Sequence, residues 1–316
     1  MRFSVIMPLY NKAPYVSKAI RSIIKQSFTD FELVIVDDGS TDQSAEIAEQ
    51  TIEGHKNCRL IRQENAGVST ARNNGVSVSN GDYLCFLDAD DWWERTFLEA
   101  MNQLIEEYRE AGAYGTNYTV VNEAKHKTHV ADIGVDDCFI KGYFNYCRAY
   151  AKTMAMPLWT GAVCIPSSVF YEFGGFPKGI KLGEDFMLWI RIALKYKTAL
   201  LNKPLAFYNQ DVAAESRGVG HLYNPTEHML WNLSFLEDEE KNNDDLKQLT
   251  DNLRTYCLLP YYLDKRYRKE ALNELKKVDW SKQPAKTKRM YQCPIWFLQM
   301  RQIILRTGSI IKSHLR

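Results

Sequence analysis

Short apolar runs and helix-period segments alternate through the first 121 residues, and that alternation leaves few architectures open. Phe3 to Pro8, Glu32 to Asp37, Arg59 to Ile61 and Tyr83 to Asp88 have the β-branched and aromatic content of buried strands. Between the first two, Tyr15 to Gln26 carries Val16, Ala19, Ile20, Ile23 and Ile24 at helical spacing. Further helices are predicted from the Asp38-Gly39-Ser40-Thr41-Asp42 turn to about Glu53, capped by Thr41 or Asp42, and over Ser69 to Ser79 and Glu94 to Glu110. Strands alternating with helices of this length build βαβ units, so the chain is expected to form an α/β domain around a mostly parallel sheet.

Two of these strands end in aspartates: Asp37-Asp38 after the second run, and Asp88-Ala89-Asp90-Asp91 after the fourth. Ligands of open α/β sheets sit beyond the carboxyl ends of the strands, where both clusters fall. Like charges gathered there are costly unless a cation or hydrogen-bond donors compensate them. The chain lacks GxGxxG after a strand and lacks GxxxxGK[ST], which disfavours dinucleotide oxidoreductases and P-loop enzymes. A bound diphosphate would then need a divalent cation held by carboxylates. Spaced by one residue, Asp88 and Asp90 can serve a ribose hydroxyl and a metal, and hard ions such as Mg²⁺ or Mn²⁺ prefer these oxygen ligands. The alternative reading is a solvated acidic turn capping the helix from Glu94.

The second part is less regular. Residues 122–156 read as loop-rich, with Phe139, Tyr143, Phe144, Tyr146 and Tyr150 as core aromatics. Val163 to Ile165 and Leu200 to Tyr208 are strand-like, Phe186 to Lys195 is an amphipathic helix, and helices follow Thr226, broken by a solvated Glu237-Asp238-Glu239-Glu240 loop. The seven cysteines include no CxxC pair and read as reduced thiols. No apolar run reaches membrane-spanning length, and Met1-Arg2-Phe3 leads straight into the first strand without room for a signal peptide. A cytoplasmic protein is expected. Residues 281–316 carry eight Lys and Arg and no acid; against an overall formal charge of +1, that leaves −7 on residues 1–280. Ile295-Trp296-Phe297-Leu298, Met300 and Ile303-Ile304-Leu305 form an apolar face beside Arg301 and Arg306, suited either to the inner face of an anionic membrane or to docking on the catalytic domain.

Four segments in order, Ser4-Val5-Ile6-Met7-Pro8-Leu9-Tyr10-Asn11, Phe31 to Asp42, Asn65 to Asn73 and Tyr83 to Asp91, together with Gly183-Glu184-Asp185-Phe186-Met187-Leu188-Trp189-Ile190-Arg191, resemble the inverting family 2 glycosyltransferases. The resemblance implies a GT-A type nucleotide-sugar-binding fold over residues 1–225, with a nucleotide half at about 1–121 and an acceptor half at about 122–225. Residues 226–316 would form a helical extension with a basic amphipathic tail. It also implies that Pro8, Leu9 and Tyr10 wall the nucleoside pocket, that Asp38 accepts from a uracil edge, and that Asn65 and Arg72 meet base or phosphate. Within the DxD element Asp88-Ala89-Asp90, Asp88 would bind ribose and Asp90 would be the main ligand of Mn²⁺ or Mg²⁺. Asp91 would instead cap the next helix. Asp185 would be the general base, with Glu184 orienting it or touching acceptor, and Trp159 bordering the sugar. On a late loop, His221 would complete the metal shell and Arg217 would meet the diphosphate.

The implied activity is single displacement from a nucleotide sugar, UDP-linked in preference to GDP-linked, to a saccharide or lipid-linked acceptor. Without a Gln-x-x-Arg-Trp motif or membrane spans, the chain does not resemble a processive synthase. The competing readings are a nucleotide-sugar-binding module without catalysis, a phosphoacceptor domain, for which the acidic pair follows the wrong strand, and nucleic-acid binding by the tail. Basic and aromatic residues do not interleave on any sheet-like segment, so no nucleic-acid partner is expected.

Overall fold

The computed structural model describes residues 2–122, 126–212 and 221–300. The chain divides into two compact units, Met1–Leu233 and Ser234–Arg316. The first begins β1 (Phe3–Leu9), α1 (Val16–Ile24), β2 (Phe31–Asp37), α2 (Ser44–Ile52), β3 (Cys58–Arg62), α3 (Val68–Ser77) and β4 (Tyr83–Phe86). It continues with β5 (Trp92–Trp93), α4 (Phe97–Glu107), β6 (Ala111–Asn122), β7 (Lys127–Val130), β8 (Lys141–Phe144), α5 (Tyr146–Thr153), β9 (Val163–Pro166), α6 (Ser167–Glu172), α7 (Glu184–Lys195) and β10 (Lys197–Asn209).

The sheet runs β3-β2-β1-β4-β9-β6-β10-β5, with β7 on β6 and β8 on β10. The block β3-β2-β1-β4 is parallel throughout, and β6 runs parallel to β10 over their long register. Antiparallel pairing comes with β9 and the short strands β5, β7 and β8. Strand order reverses at β1, between the β2 and β4 sides, which opens a crevice at the carboxyl ends of these three strands.

Alternation along β1 sends Val5 and Met7 to one face, where they join Ile20 and Ile23 of α1 and Met101 and Ile105 of α4 in one buried cluster. On the opposite face α3 lies close enough that a Cβ at Gly75 would stand 2.5 Å from Ile6 Cγ2, so only glycine permits that approach. Pro8 sits within a central strand, where a missing N–H is normally excluded. The β1–β4 register stops at Ile6–Phe86, and Ile6 O faces β4 by accepting from Leu87 N–H. Two residues on, Pro8 would aim its donor past the end of β4, so nothing is lost.

Several sequence expectations change. Residues 127–153 hold β7, β8 and α5, not a loop; β7 is wholly exposed and β8 only half covered, so neither has a hydrophobic pattern to read. β6, almost entirely buried, went unread because Gly, Ala, Thr and Asn dilute its strand signal. Asp91 caps no helix: it is buried, and its carboxylate accepts from Asn209 N–H at 2.7 Å.

The second unit, by itself, is helical in its described residues: α8 (Asp244–Cys257), α9 (Leu259–Leu263), α10 (Arg268–Leu275), α11 (Ala285–Gln292) and a helix over 295–300. Glu240 is not in a solvated loop. It pairs at 3.0 Å with Arg254, which is 1% exposed and also meets Asp251. Leu298 is buried and Gln299 donates to Leu263 O, while Trp296, Phe297 and Met300 are exposed. Arg301, Ile303 to Leu305 and Arg306 lie outside the described residues. Among the described residues, no helix is long and apolar enough to cross a membrane.

Candidate active site

The end of β2 organises the first wall of the crevice. Asp38 is buried, and its Oδ1 accepts from Gln63 Nε2 (2.6 Å) and Ala66 N–H (2.8 Å) while Oδ2 accepts from Gly67 N–H (2.9 Å). Asn65 Nδ2 adds a bond to Asp38 O. One acceptor direction, on Oδ2, is left of the carboxylate's roughly four. Asp38 therefore shapes residues 63–67, and through them the start of α3. From β1, Tyr10 projects into solvent and Asn11 Oδ1 receives Thr41 N–H.

One turn into α3, the guanidinium of Arg72 is 3% exposed. It bridges two carboxylates, Nη2 to Asp88 Oδ1 at 2.8 Å and Nη1 to Glu184 Oε1 at 2.9 Å, over the Phe176 ring. Burial disfavours its charge, but Asp88 and Glu184 hold it above even the ordinary arginine range. Arg72 thus fastens the end of β4 to the start of α7 across the crevice.

The turn after β4 concentrates negative charge. Asp91 N–H returns to Asp88 O, and Asp90 Oδ2 lies 2.6 Å from Lys12 Nζ with both side chains 14% exposed. Burial raises Asp90; Lys12 opposes that and Asp88 adds to it. Asp91 is pushed well up, by burial first and then by Asp90 and Asp88. A cation beside these carboxylates would oppose both the burial and the mutual repulsion that raise them. Hard oxygen donors at Asp88 and Asp90 fit Mg²⁺ or Mn²⁺, which fill their remaining positions with water or phosphate. Among the described residues no third His, Cys, Asp or Glu completes a ligand set.

Gly183, in the left-handed region (φ 84°), turns the chain into α7, and a Cβ there would meet Met229 Sδ at 2.2 Å. Glu184 and Asp185 follow in the first turn, where the helix dipole favours carboxylates. Asp185 Oδ2 accepts from Thr160 Oγ at 2.9 Å and Oδ1 from Phe186 N–H at 2.7 Å. Glu184 is pushed up to about 7 by burial and by Asp185, against the pull of Arg72.

Of the residues picked from sequence, Arg72, Asp88, Glu184 and Asp185 are brought together here, with Ala89 buried and Asp90 beside them on the same turn. Trp159 is half-buried between Tyr118 and Tyr208, and its neighbour Thr160 supplies the bond to Asp185. Pro8 and Leu9 close β1 beneath the crevice. His221 is exposed beside Tyr223, whose phenol is raised by burial and in part by the Glu184 charge. Arg217 lies outside the described residues. Sequence reasoning missed Lys12, Gln63 and Thr160. Lys12 directly follows the quoted Asn11 and was the one cation available on that strand-end loop; the other two carry no signal of their own.

The profile of "Glycosyl transferase family 2" matches residues 4–178, more than half of the chain. The chain belongs to glycosyltransferase family 2. Its relatives include the glycosyltransferase GlyA of Streptococcus pneumoniae, 36% identical over 215 residues, which is 66% of this chain and 30% of GlyA. An uncharacterized glycosyltransferase of Rickettsia felis is 31% identical over 205 residues, 65% of this chain and 32% of that protein. The family 2 chain thus spans about a third of the length of these relatives. Residues 1–349 of Staphylococcus aureus TarS, crystallised with UDP-GlcNAc, superpose with a TM-score of 0.73 at 20% identity, covering 87% of this chain and 80% of that one. The mannosyltransferase PcManGT of Pyrobaculum calidifontis, in complex with GDP-Man and Mn²⁺, gives 0.51 at 18% identity, covering 89% and 88%. The fold is the GT-A type α/β fold, with a mixed, mostly parallel sheet, flanking helices and C-terminal helices.

Proposed function

We propose that this transferase moves a hexosyl or N-acetylhexosaminyl group from a UDP-linked sugar to a hydroxyl of a saccharide or lipid-linked acceptor, with inversion, in the building of a cell-surface polysaccharide or lipopolysaccharide. The observation that carries the reading is the convergence of Asp185, held by Thr160, with Asp88 and Glu184, held by Arg72, at the strand-end crevice. UDP-GlcNAc in the TarS crystal supports the donor class, and Mn²⁺ with GDP-Man in PcManGT supports a metal-assisted site.

In this reading Asp185 takes the proton of the acceptor hydroxyl as that oxygen attacks the anomeric carbon from the face opposite the diphosphate. Thr160 and Phe186 N–H fix its rotamer and leave lone pairs for the incoming hydroxyl. Glu184 orients Asp185 and contacts acceptor; Trp159 borders the sugar. Pro8, Leu9, Tyr10, Asp38 and Asn65 bound the nucleoside, Asp88 and Ala89 face the ribose, Arg72 lines the phosphate side while paired with Asp88 and Glu184, and Arg217 meets the phosphates. A divalent ion held by Asp90 with Asp88, and by His221, would neutralise charge on the departing diphosphate. The C-terminal apolar face, extended by the exposed Trp296, Phe297 and Met300, would contact the anionic inner face of the cell membrane.

A donor screen tests the proposal: purified protein, Mn²⁺ and a panel of nucleotide sugars, with nucleoside diphosphate release as the readout. Release from one UDP-sugar, stimulated by saccharide acceptors, is expected. Release from GDP-sugars alone would overturn the uridine assignment.

A further inference from the structure

Within the C-terminal unit, α9, the turn after it, α10, the 280–282 turn and α11 line an open, solvent-facing cavity of about 750 Å³. Four cations line it, Lys265, Arg268, Lys269 and Lys276, and no carboxylate does. Among the described residues none of the four has an ion-pair partner, whereas neighbouring Lys277 is paired with Glu274 and Glu237, and Arg266 with Asp264. Glu274, Glu237 and Asp264 thus make their ion pairs with cations outside the cavity. Arg268 is held in place by carbonyls, Nε on Tyr262 O at 3.0 Å and Nη2 on Leu263 O at 3.2 Å, so its charge is fixed at the wall. The apolar part of the lining is aromatic: Tyr291 packs on Trp280 at 5.3 Å and on Tyr262 at 5.4 Å, and its hydroxyl is tied to Thr255 O.

A concentration of unpaired cations costs folding energy through mutual repulsion and is relieved by an anion. The volume exceeds what an inorganic ion fills and lies in the usual range for small-molecule sites, about 300–1,000 Å³. Aromatic faces beside cations suit a sugar or polyol next to a phosphate. We propose that this cavity is a binding site for a phosphate-bearing saccharide or polyol, carried either by a soluble molecule or by a lipid headgroup. At about 750 Å³ it holds one small ligand, whereas nucleic acid needs an extended cationic groove tracking successive phosphates. The site stands whether or not the donor assignment above holds, because none of its residues belongs to the candidate active site.

The test uses the full chain and the double variant Lys265→Ala/Lys269→Ala, both positions being exposed, with circular dichroism as the folding check. Titration calorimetry with glycerol 3-phosphate and glucose 1-phosphate is the soluble arm. Co-sedimentation with vesicles of phosphatidylglycerol in phosphatidylcholine, against phosphatidylcholine alone, is the lipid arm. Binding in either arm that weakens about tenfold or more in the variant, as expected for two lost charge-assisted contacts, supports the site and identifies its source. No binding in both arms, no probe in either arm whose binding the variant weakens, or a short single-stranded oligonucleotide that binds more tightly than every phosphate probe would overturn it. Lys286→Ala/Lys288→Ala, outside the lining, is expected to bind as wild type does.

Discussion

Replacing Glu184 by Gln tests the electrostatics of the crevice without changing its shape. The Glu184 side chain is 12% exposed, and burial with the adjacent Asp185 charge lifts its carboxyl to about 7. In the unfolded chain the same group titrates near its ordinary value, about 4.5. Between those two values the folded protein holds a proton that the unfolded chain has released, so the stability contributed by Glu184 is complete below the lower value and is lost as pH rises through the upper one. The gap, at about 1.36 kcal/mol per pH unit, comes to about 3 kcal/mol. Glutamine keeps an oxygen for Arg72 and cannot ionise. The variant is therefore expected to match wild type near pH 4.5 and to be more stable by up to about 3 kcal/mol near pH 8. Asp90 and Asp91 are raised too, but they titrate in both proteins and cancel in the difference. Urea unfolding of both proteins at the two pH values gives that difference directly. A stability difference that does not change with pH, or a wild type that gains on the variant as pH rises, would show that Arg72 dominates and would refute the reasoning.

Four further outcomes are expected. Asp185→Asn should leave donor affinity nearly intact and slow transfer roughly 10²–10⁴-fold; near wild-type turnover removes Asp185 as the base. Asp90→Ala should weaken Mn²⁺ and nucleoside diphosphate binding together in calorimetry, and affinity and rate untouched by EDTA would exclude the metal-assisted reading. Gly183→Ala adds strain at φ 84° to a clash with Met229 and should cost roughly 2–4 kcal/mol in urea unfolding, whereas a midpoint equal to wild type would mean that the turn relaxes freely. Removing residues 301–316 should leave the chain folded and weaken co-sedimentation with anionic vesicles at low salt; undiminished sedimentation would move the membrane contact elsewhere.

The sheet core was legible because buried parallel strands advertise themselves. Val34-Ile35-Val36 and Tyr83 to Leu87 have no polar interruption, and each ends where the polar turn begins. The helices against them showed in their apolar spacing. Strands covered on one face or neither, β7 and β8, had no such pattern, and β6 is buried through small and polar residues whose placement depends on neighbours remote in sequence. The same division holds at the site. Asp88, Asp185 and Arg72 stand in recognisable segments, but nothing local says that Arg72 spans 112 positions to reach Glu184. The motif implies ligand contact for Asp38; that three of its acceptor directions also serve Gln63, Ala66 and Gly67 is a demand only the folded loop reveals.

The charge balance of the crevice makes the proposed metal dependence its most informative test. Asp88, Asp90, Asp91, Glu184 and Asp185 gather there, and the chain answers with Arg72 and Lys12. Both cations are committed: Lys12 to Asp90, Arg72 to Asp88 and Glu184 at once. Burial first, and then their neighbours' charge, raises the Asp90, Asp91 and Glu184 carboxyls against the pull of Lys12 and Arg72. A nucleoside diphosphate adds further negative charge, so its binding requires either that Lys12 and Arg72 leave their carboxylates for the phosphates or that new positive charge enters at Asp88 and Asp90. The first route would leave the largely buried Asp90 and Glu184 carboxylates unpaired, at about 3–5 kcal/mol for each of those pairs broken, and less for the more exposed Asp88. The second relieves the carboxylates and the diphosphate together, and the Asp90→Ala titration, with and without Mn²⁺, separates the two.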